Sequence, residues 1–160
     1  MSDSSRVASA TTATPNDSPS LSERPSSAVA ASLEVIGERW SLLIVREAFL
    51  GARRFEEFQA RLGIARNMLA TRLKSLVAAK VLNKRKYQDR PARYEYRLTQ
   101  RGADLAPMLL ALDTWGAKYL GASTTGFIHV PCGSVAGSST VCAQCGQPIS
   151  AFDMALIDET

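Results

Sequence analysis

The chain has 160 residues, 46% of them apolar, with a formal net charge of +4, which suits one domain with a full core plus tails and excludes a fibrous or fully disordered class. No run approaches the roughly eighteen apolar residues of a membrane helix, and the N-terminus lacks a signal peptide's apolar stretch, so a cytoplasmic protein with no membrane partner is expected. The charge is uneven: residues 40–101 hold fifteen Lys/Arg against five Asp/Glu, a balance of +10 between flanks of −2 and −4, and that concentration points to a polyanionic partner.

Residues 1–27 are rich in Ser, Thr, Ala and Pro with almost no large apolar side chain, so they read as a disordered arm that cannot offset the entropy of ordering. From Ala28 the pattern becomes helical. Val29, Leu33, Ile36 and Trp40 recur at the spacing of one helix face, and SLLIVREAFLG (residues 41–51) supplies a second helix that stops at Gly51. RRFEEFQARLG (residues 53–63) follows as a short helix with Phe55, Phe58 and Leu62 facing inward.

After a turn at Gly63 comes GIARNMLATRLKSLVAAKVL (residues 63–82). Leu69, Leu73, Leu76 and Val77 fall at i, i+4, i+7 and i+8, which makes one face of this helix core. The opposite face carries Asn67, Thr71, Lys74 and Ser75, with Arg66 in the first turn and Arg72 on a flank. The period then switches from about 3.6 to 2. LNKRKY and RYEYRL flank QDRPAR, whose Asp89 and Pro91 mark a turn, so a two-stranded hairpin with a basic tip is predicted. Thr99 can N-cap a last long helix running to about Tyr119, with Leu105, Met108, Leu109, Leu112, Trp115 and Tyr119 on one face and Pro107 as a kink or an alternative start.

Two short helices joined by a tight turn and followed by a hairpin describe a winged helix-turn-helix. The expected class is therefore α+β, mainly helical. A DNA-binding and dimerisation domain spans residues 28–120, its flanking helices forming the dimer, and a small tail module occupies residues 121–160. The residues in VIGERWSLLIVREAFLGARRFEEFQARLGIARNMLATRLKSLVAAKVLNKRKY and RPARYEYRLTQRGADLAPMLLALDTWG resemble the HxlR family of winged-helix regulators, relatives of MarR, over about residues 29–120. The resemblance implies a homodimer that binds operator DNA. Some members of that family sense thiol-reactive electrophiles through a cysteine just before the first helix. Aligning on Trp40 puts Ser27 and Ala28 where a Cys-Pro pair is usual, so that mechanism cannot operate here unaltered.

Arg pairs with guanine and Asn with adenine, each pairing discriminating bases by about 1–3 kcal/mol. Arg66 and Asn67 are expected to read bases in the major groove, with Thr71 and Lys74 one and two turns on. Arg85, Lys86, Arg90 and Arg93 on the hairpin, with Arg53 and Arg54 before the short helix, are expected on phosphates. Lys80 and Lys84 read equally well as plain surface. Tyr87, Tyr94 and Tyr96 are expected to pack the hairpin on the helices rather than stack on bases. Trp40 and Trp115 suit a core or dimer seam, and a small-effector pocket between them is an open alternative. An enzyme is not expected: there is one histidine and no catalytic set at useful spacing. The alternative to a DNA-binding repressor is a winged-helix module for RNA or protein.

The tail FIHVPCGSVAGSSTVCAQCGQPIS (residues 127–150) holds the only histidine and all three cysteines. His129-x2-Cys132 and Cys142-x2-Cys145 place four ligands as two close pairs, as in a small zinc ribbon, although the nine-residue spacer is short for one. Gly133 and Gly146 each follow a cysteine, where a tight turn can aim amide hydrogens at a thiolate. Structural zinc, inert thiols and a Cys142/Cys145 redox sensor are the three readings; no cofactor is expected to be needed for DNA binding.

Overall fold

A computed structural model describes residues 27–123, 127–150, 152, 154 and 155. The expected disordered arm lies outside the described residues except for Ser27, whose hydroxyl accepts from the Ala30 amide at 3.1 Å and so caps α1 (Ala28–Ile36). The position where a family sensor cysteine would stand thus starts a helix.

α1 ends earlier than the apolar spacing suggests. Gly37 closes it and Glu38 turns extended, so Trp40 belongs to α2 (Arg39–Phe49) rather than to the first helix. α2 is the central helix, burying Ser41, Ile44, Val45, Glu47 and Ala48. α3 (Phe55–Leu62) follows, its N-terminus closed by Glu57, whose carboxylate accepts from the amides of Arg53 at 2.7 Å and Arg54 at 3.0 Å. It stops at Gly63, whose φ of +60° is the left-handed conformation that suits glycine at a helix end. Ile64 plugs the turn into the core, and α4 (Arg66–Ala78) begins two residues later.

β1 (Leu82–Gln88) and β2 (Arg93–Leu98) form the antiparallel hairpin, paired from Leu82 opposite Leu98 to Lys86 opposite Tyr94, with a bulge between Lys86 and Gln88. The hairpin is tied to the helices by the Tyr96 amide, which donates to the Arg53 carbonyl at 2.7 Å, and by the Tyr96 ring, edge-on to Phe58 at 6.4 Å. The expected long helix is divided: α5 (Gln100–Ala103) and α6 (Ala106–Leu120) meet at Asp104–Leu105. Pro107 therefore starts a helix rather than kinking one, because it sits in the first turn of α6, where its missing amide hydrogen leaves no helical bond unmade. Thr99 caps α5 by accepting from the Gly102 amide at 3.1 Å. Gly102 lies so close to Val81 that a Cβ there would stand 2.2 Å from its carbonyl oxygen, so no larger residue fits. Beyond α6 are two short strands, β3 (Ile128–His129) and β4 (Ser134–Val135), paired antiparallel.

One core unites these elements. Ile44 and Val45 of α2, Phe58 of α3, Leu69, Leu73 and Leu76 of α4, Val81 and Leu82 are essentially sealed from solvent. Leu109 is buried in the same cluster and Leu105 packs on it, so these two expected interface residues belong to the monomer's core. Among the described residues, no helix is long and apolar enough to cross a membrane.

Leu73→Ala is expected to lower the unfolding free energy by about 2–5 kcal/mol, and Met68→Ala on the exposed side by no more than about 0.5 kcal/mol, as measured by urea unfolding at one fixed protein concentration. The two amides that donate to Glu57 hold its carboxyl below the usual range. A depressed folded-state pKa contributes stability above the unfolded pKa, and that contribution is lost as pH falls through the folded value. Glu57→Gln should therefore lower the urea midpoint at neutral pH, and the deficit should shrink as the buffer is taken below the carboxylate range.

Candidate nucleic-acid interface

Burial of Leu69, Leu73 and Leu76 fixes the rotation of α4 and leaves Arg66, Asn67, Ala70, Thr71, Lys74 and Ser75 exposed. The hydroxyls of Thr71 and Ser75 donate back to the carbonyls of Asn67 and Thr71 at 3.0 and 3.2 Å, so toward a partner they present oxygen acceptors and, for Thr71, a methyl group. The Asn67 side-chain oxygen accepts from the Met68 amide at 2.8 Å, which leaves the NH2 group of this exposed residue as its donor to a partner. Arg72 is set apart from this face: it is mostly buried and pairs with Glu38 at 3.3 Å, tying α4 to the α1–α2 turn.

At the start of α4 a cleft of about 590 Å3 opens between the N-terminus of α3 and the wing, and Arg54, Arg66 and Arg93 converge on it. Aromatic rings hold two of these guanidiniums. Arg66 lies 4.9 Å from the centre of the Phe55 ring, and Arg54 lies 4.9 Å from that of Tyr87. Stacking restricts a long side chain and leaves its N–H edge free to donate, which prepares it for a phosphate or a guanine. Glu56 and Glu57 also line the cleft, so its net charge is smaller than three arginines alone would give.

The sequence-predicted residues fall into three sets. Arg54, Arg66 and Arg93 share the cleft, while Asn67, Thr71 and Lys74 continue from it along α4. Arg85, Lys86 and Arg90 lie farther out on the wing. Arg85 stands opposite Glu95, and Lys86 pairs with Asp89 at 2.6 Å. Arg53 is exposed and is held beside the wing by its carbonyl. Lys84, which reads equally well as plain surface, lies 4.0 Å from the Tyr94 ring centre.

Of the three tyrosines only Tyr96 packs as expected, where burial raises its phenol pKa. Tyr87 and Tyr94 are exposed, because the hairpin outruns the helices that would cover it, and both line the basic cleft. Their service as arginine and lysine platforms was missed from sequence; the only available signal was their interleaving with basic residues. A small-effector pocket between the two tryptophans is the open alternative to a core or seam role, and a cleft of suitable size lies elsewhere. A cleft of about 560 Å3 lies between α2 and α6, lined by Leu42, Leu43, Leu109, Leu112 and Phe127 under Arg39, and neither tryptophan borders it.

In the tail, the His129 ring nitrogen Nδ1 lies 3.2 Å from Cys132 Sγ. The Ser134 amide, then its hydroxyl, donate to Cys132 and hold its thiol pKa down. The amides of Cys145 and Gln144, then the Cys145 thiol, do the same for Cys142. The four candidate ligands are thus arranged as two pairs. Among the described residues no group of three His, Cys, Asp or Glu side chains is close enough together to enclose a metal ion.

The model of the HxlR-like helix-turn-helix family matches residues 35–124. An uncharacterized HTH-type transcriptional regulator of Mycobacterium bovis is 42% identical over 126 residues, covering 77% of this chain and 80% of that protein. The crystal structure of PA1607, a candidate transcription factor, superposes with a TM-score of 0.75 at 38% identity, covering 85% of this chain and 97% of the other. That of PA1374, a candidate transcription factor from Pseudomonas aeruginosa, gives a TM-score of 0.58 at 37% identity over 80% of this chain and 89% of the other.

On the expectation that α4 meets base edges and the wing meets phosphates, two kinds of variant should behave differently. Arg66→Ala and Asn67→Ala are each expected to cost about 1–3 kcal/mol on a preferred duplex and to relax the preference at particular base pairs. Arg90→Ala and Arg93→Ala should weaken all duplexes alike and reduce the slope of log affinity against log salt by roughly 0.9 for each phosphate no longer neutralised. Fluorescence anisotropy over a salt series with matched and mismatched duplexes reads both.

Proposed function

The chain belongs to the HxlR-like helix-turn-helix family and is a DNA-binding transcriptional regulator, and on that premise we propose that it is a homodimeric repressor of an inverted-repeat operator. The observation that carries this reading is the exposed polar face of α4, which begins at a cleft where three arginines converge. In this reading α4 lies in the major groove with Arg66 and Asn67 at base edges and Thr71 and Lys74 deeper along the groove. Arg54 and Arg93 hold the adjacent phosphate strand, Arg53 adds charge beside them, and Arg85, Lys86 and Arg90 carry the wing to the flanking DNA.

Dimerisation uses the apolar surface that the monomer leaves uncovered. On α1, Val29 and Leu33 are 69% and 55% exposed, and on α6, Leu112, Trp115 and Tyr119 are 48%, 54% and 61% exposed. Apolar residues grouped at this density mark an interface. A two-fold axis through these helices presents two copies of α4 to half-sites one helical turn, or a multiple, apart. Repression follows by occlusion when the operator overlaps a promoter. A small effector fits best in the α2–α6 cleft, which shares Leu112 with the dimer face.

Sedimentation of the full chain at micromolar concentration is expected to show a dimer, and a duplex bearing both half-sites should take up two chains. Trp115→Asp should yield monomers, with operator affinity falling at least about a hundredfold, as expected when two linked sites become separate binding events. A promoter overlapping the operator should lose transcription on addition of the protein. A wild-type chain that remains monomeric, or transcription that rises, would contradict the proposal.

A further inference from the structure

We propose that residues 127–150 form a metal-stapled module in which one zinc ion is held by His129, Cys132, Cys142 and Cys145. The first observation is that both pairs adopt the same kind of turn. The amides of Cys132 and Gly133 donate to the His129 carbonyl at 3.1 and 2.8 Å, and the Gly146 amide donates to the Cys142 carbonyl at 2.8 Å. Each turn ends in a left-handed glycine, Gly133 at φ +69° and Gly146 at φ +73°. That conformation carries the chain past the second ligand of each pair. Backbone amides reach sulfur in both turns, that of Ser134 after the glycine to Cys132, and those of Gln144 and Cys145 before it to Cys142.

The second observation is the first pair's spacing. Zn–N of about 2.0–2.1 Å and Zn–S of about 2.3 Å at a tetrahedral angle put the two ligand atoms about 3.6 Å apart. His129 Nδ1 and Cys132 Sγ are 3.2 Å apart, within a small rotation of that value. The third is that the module has no core. None of residues 127–150 is buried, its only paired strands are two residues long, and one further bridge joins Val141 to Pro148. Hydrogen bonds in water do not hold so small a unit together, and units of this size are secured by a disulfide or a metal.

The free pairs stand as two half-sites, and the ion draws them together. The nine residues between Cys132 and Cys142, Gly/Ser-rich from Gly133 to Thr140, span up to about 30 Å when extended, so the linker does not prevent closure. Zinc forms three bonds to sulfur and one to the neutral imidazole. Any thiol still protonated releases its proton to solvent, and no electron is transferred. Phe127, Ile128, His129 and Val130 line a cleft with Phe49, Leu109 and Leu110, so the staple also fixes the first knuckle against the winged-helix core.

Zinc content decides the matter independently of DNA binding. Full-length protein, prepared under reducing conditions, given zinc and desalted, is expected to retain about one zinc per chain. Replacement by cobalt should give the intense visible and thiolate charge-transfer bands of a tetrahedral site with several sulfur ligands. Cys132→Ser and Cys145→Ser should each retain less than about a tenth of the metal, while Ser138→Ala retains it all. The proposal is overturned if the desalted protein holds no zinc and all three thiols react at the rate of free cysteine. It is equally overturned if Cys132→Ser keeps its zinc, which would leave metal on the Cys142/Cys145 pair alone, or if native mass spectrometry finds those two joined as a disulfide.

Discussion

The packing of α4 against α2 and α3 is the constraint on which the rest depends. Leu69, Leu73 and Leu76 lie in one sealed cluster with Ile44, Val45 and Phe58, and a helix held by three buried leucines cannot rotate without exposing one of them. Removing one such side chain from a core costs several kcal/mol, a large part of the net stability of a small domain. The outward direction of Arg66, Asn67, Thr71 and Lys74 is therefore set by the core. The turn before α4 depends on the same cluster through Ile64, and the wing is fixed to it through Tyr96 on Phe58.

Charge is handled differently inside and outside this frame. Glu47, buried in α2, is neutralised by Arg46, with Arg61 at 3.6 Å, so two of the fifteen central cations are committed to the fold. Arg72 is committed likewise through Glu38. Two of the three arginines around the start of α4, Arg54 and Arg66, instead lie on aromatic rings, an arrangement that leaves their donors available. In the proposed binding mode, affinity comes from phosphate contacts and selectivity from two or three residues at the start of one helix, and salt weakens the first far more than the second.

Much of this was legible in the sequence because it rests on local periodicity. The leucine spacing in α4, the stop at Gly63 and the alternation through Tyr96 and Leu98 each follow from the nearest few residues. The misread parts depend on tertiary context. Trp40 fits the apolar spacing of α1, yet the chain turns at Gly37 and Glu38 so that α2 can enter the core. The division between α5 and α6 lets Gly102 pack against Val81 while Leu105 and Leu109 face the core cluster. Tyr94 shares a strand face with Tyr96 but extends beyond the helices, a matter of hairpin length against helix position that alternation cannot reveal. The convergence of Arg54, Arg66 and Arg93, far apart in sequence, was readable only as a general excess of charge.

The central claim is that the face of α4 set by the buried leucines reads duplex DNA as one half of a two-fold pair. Its most direct test is to let the purified full chain select fragments from a library of random duplexes in competition with single-stranded DNA and structured RNA. The account predicts enrichment of duplexes carrying two inverted half-sites centred about 10–10.5 base pairs, or a multiple, apart, with the Asn67→Ala variant losing preference at one symmetric pair of positions. Enrichment of RNA or single strands, or of duplexes sharing no motif, would contradict it.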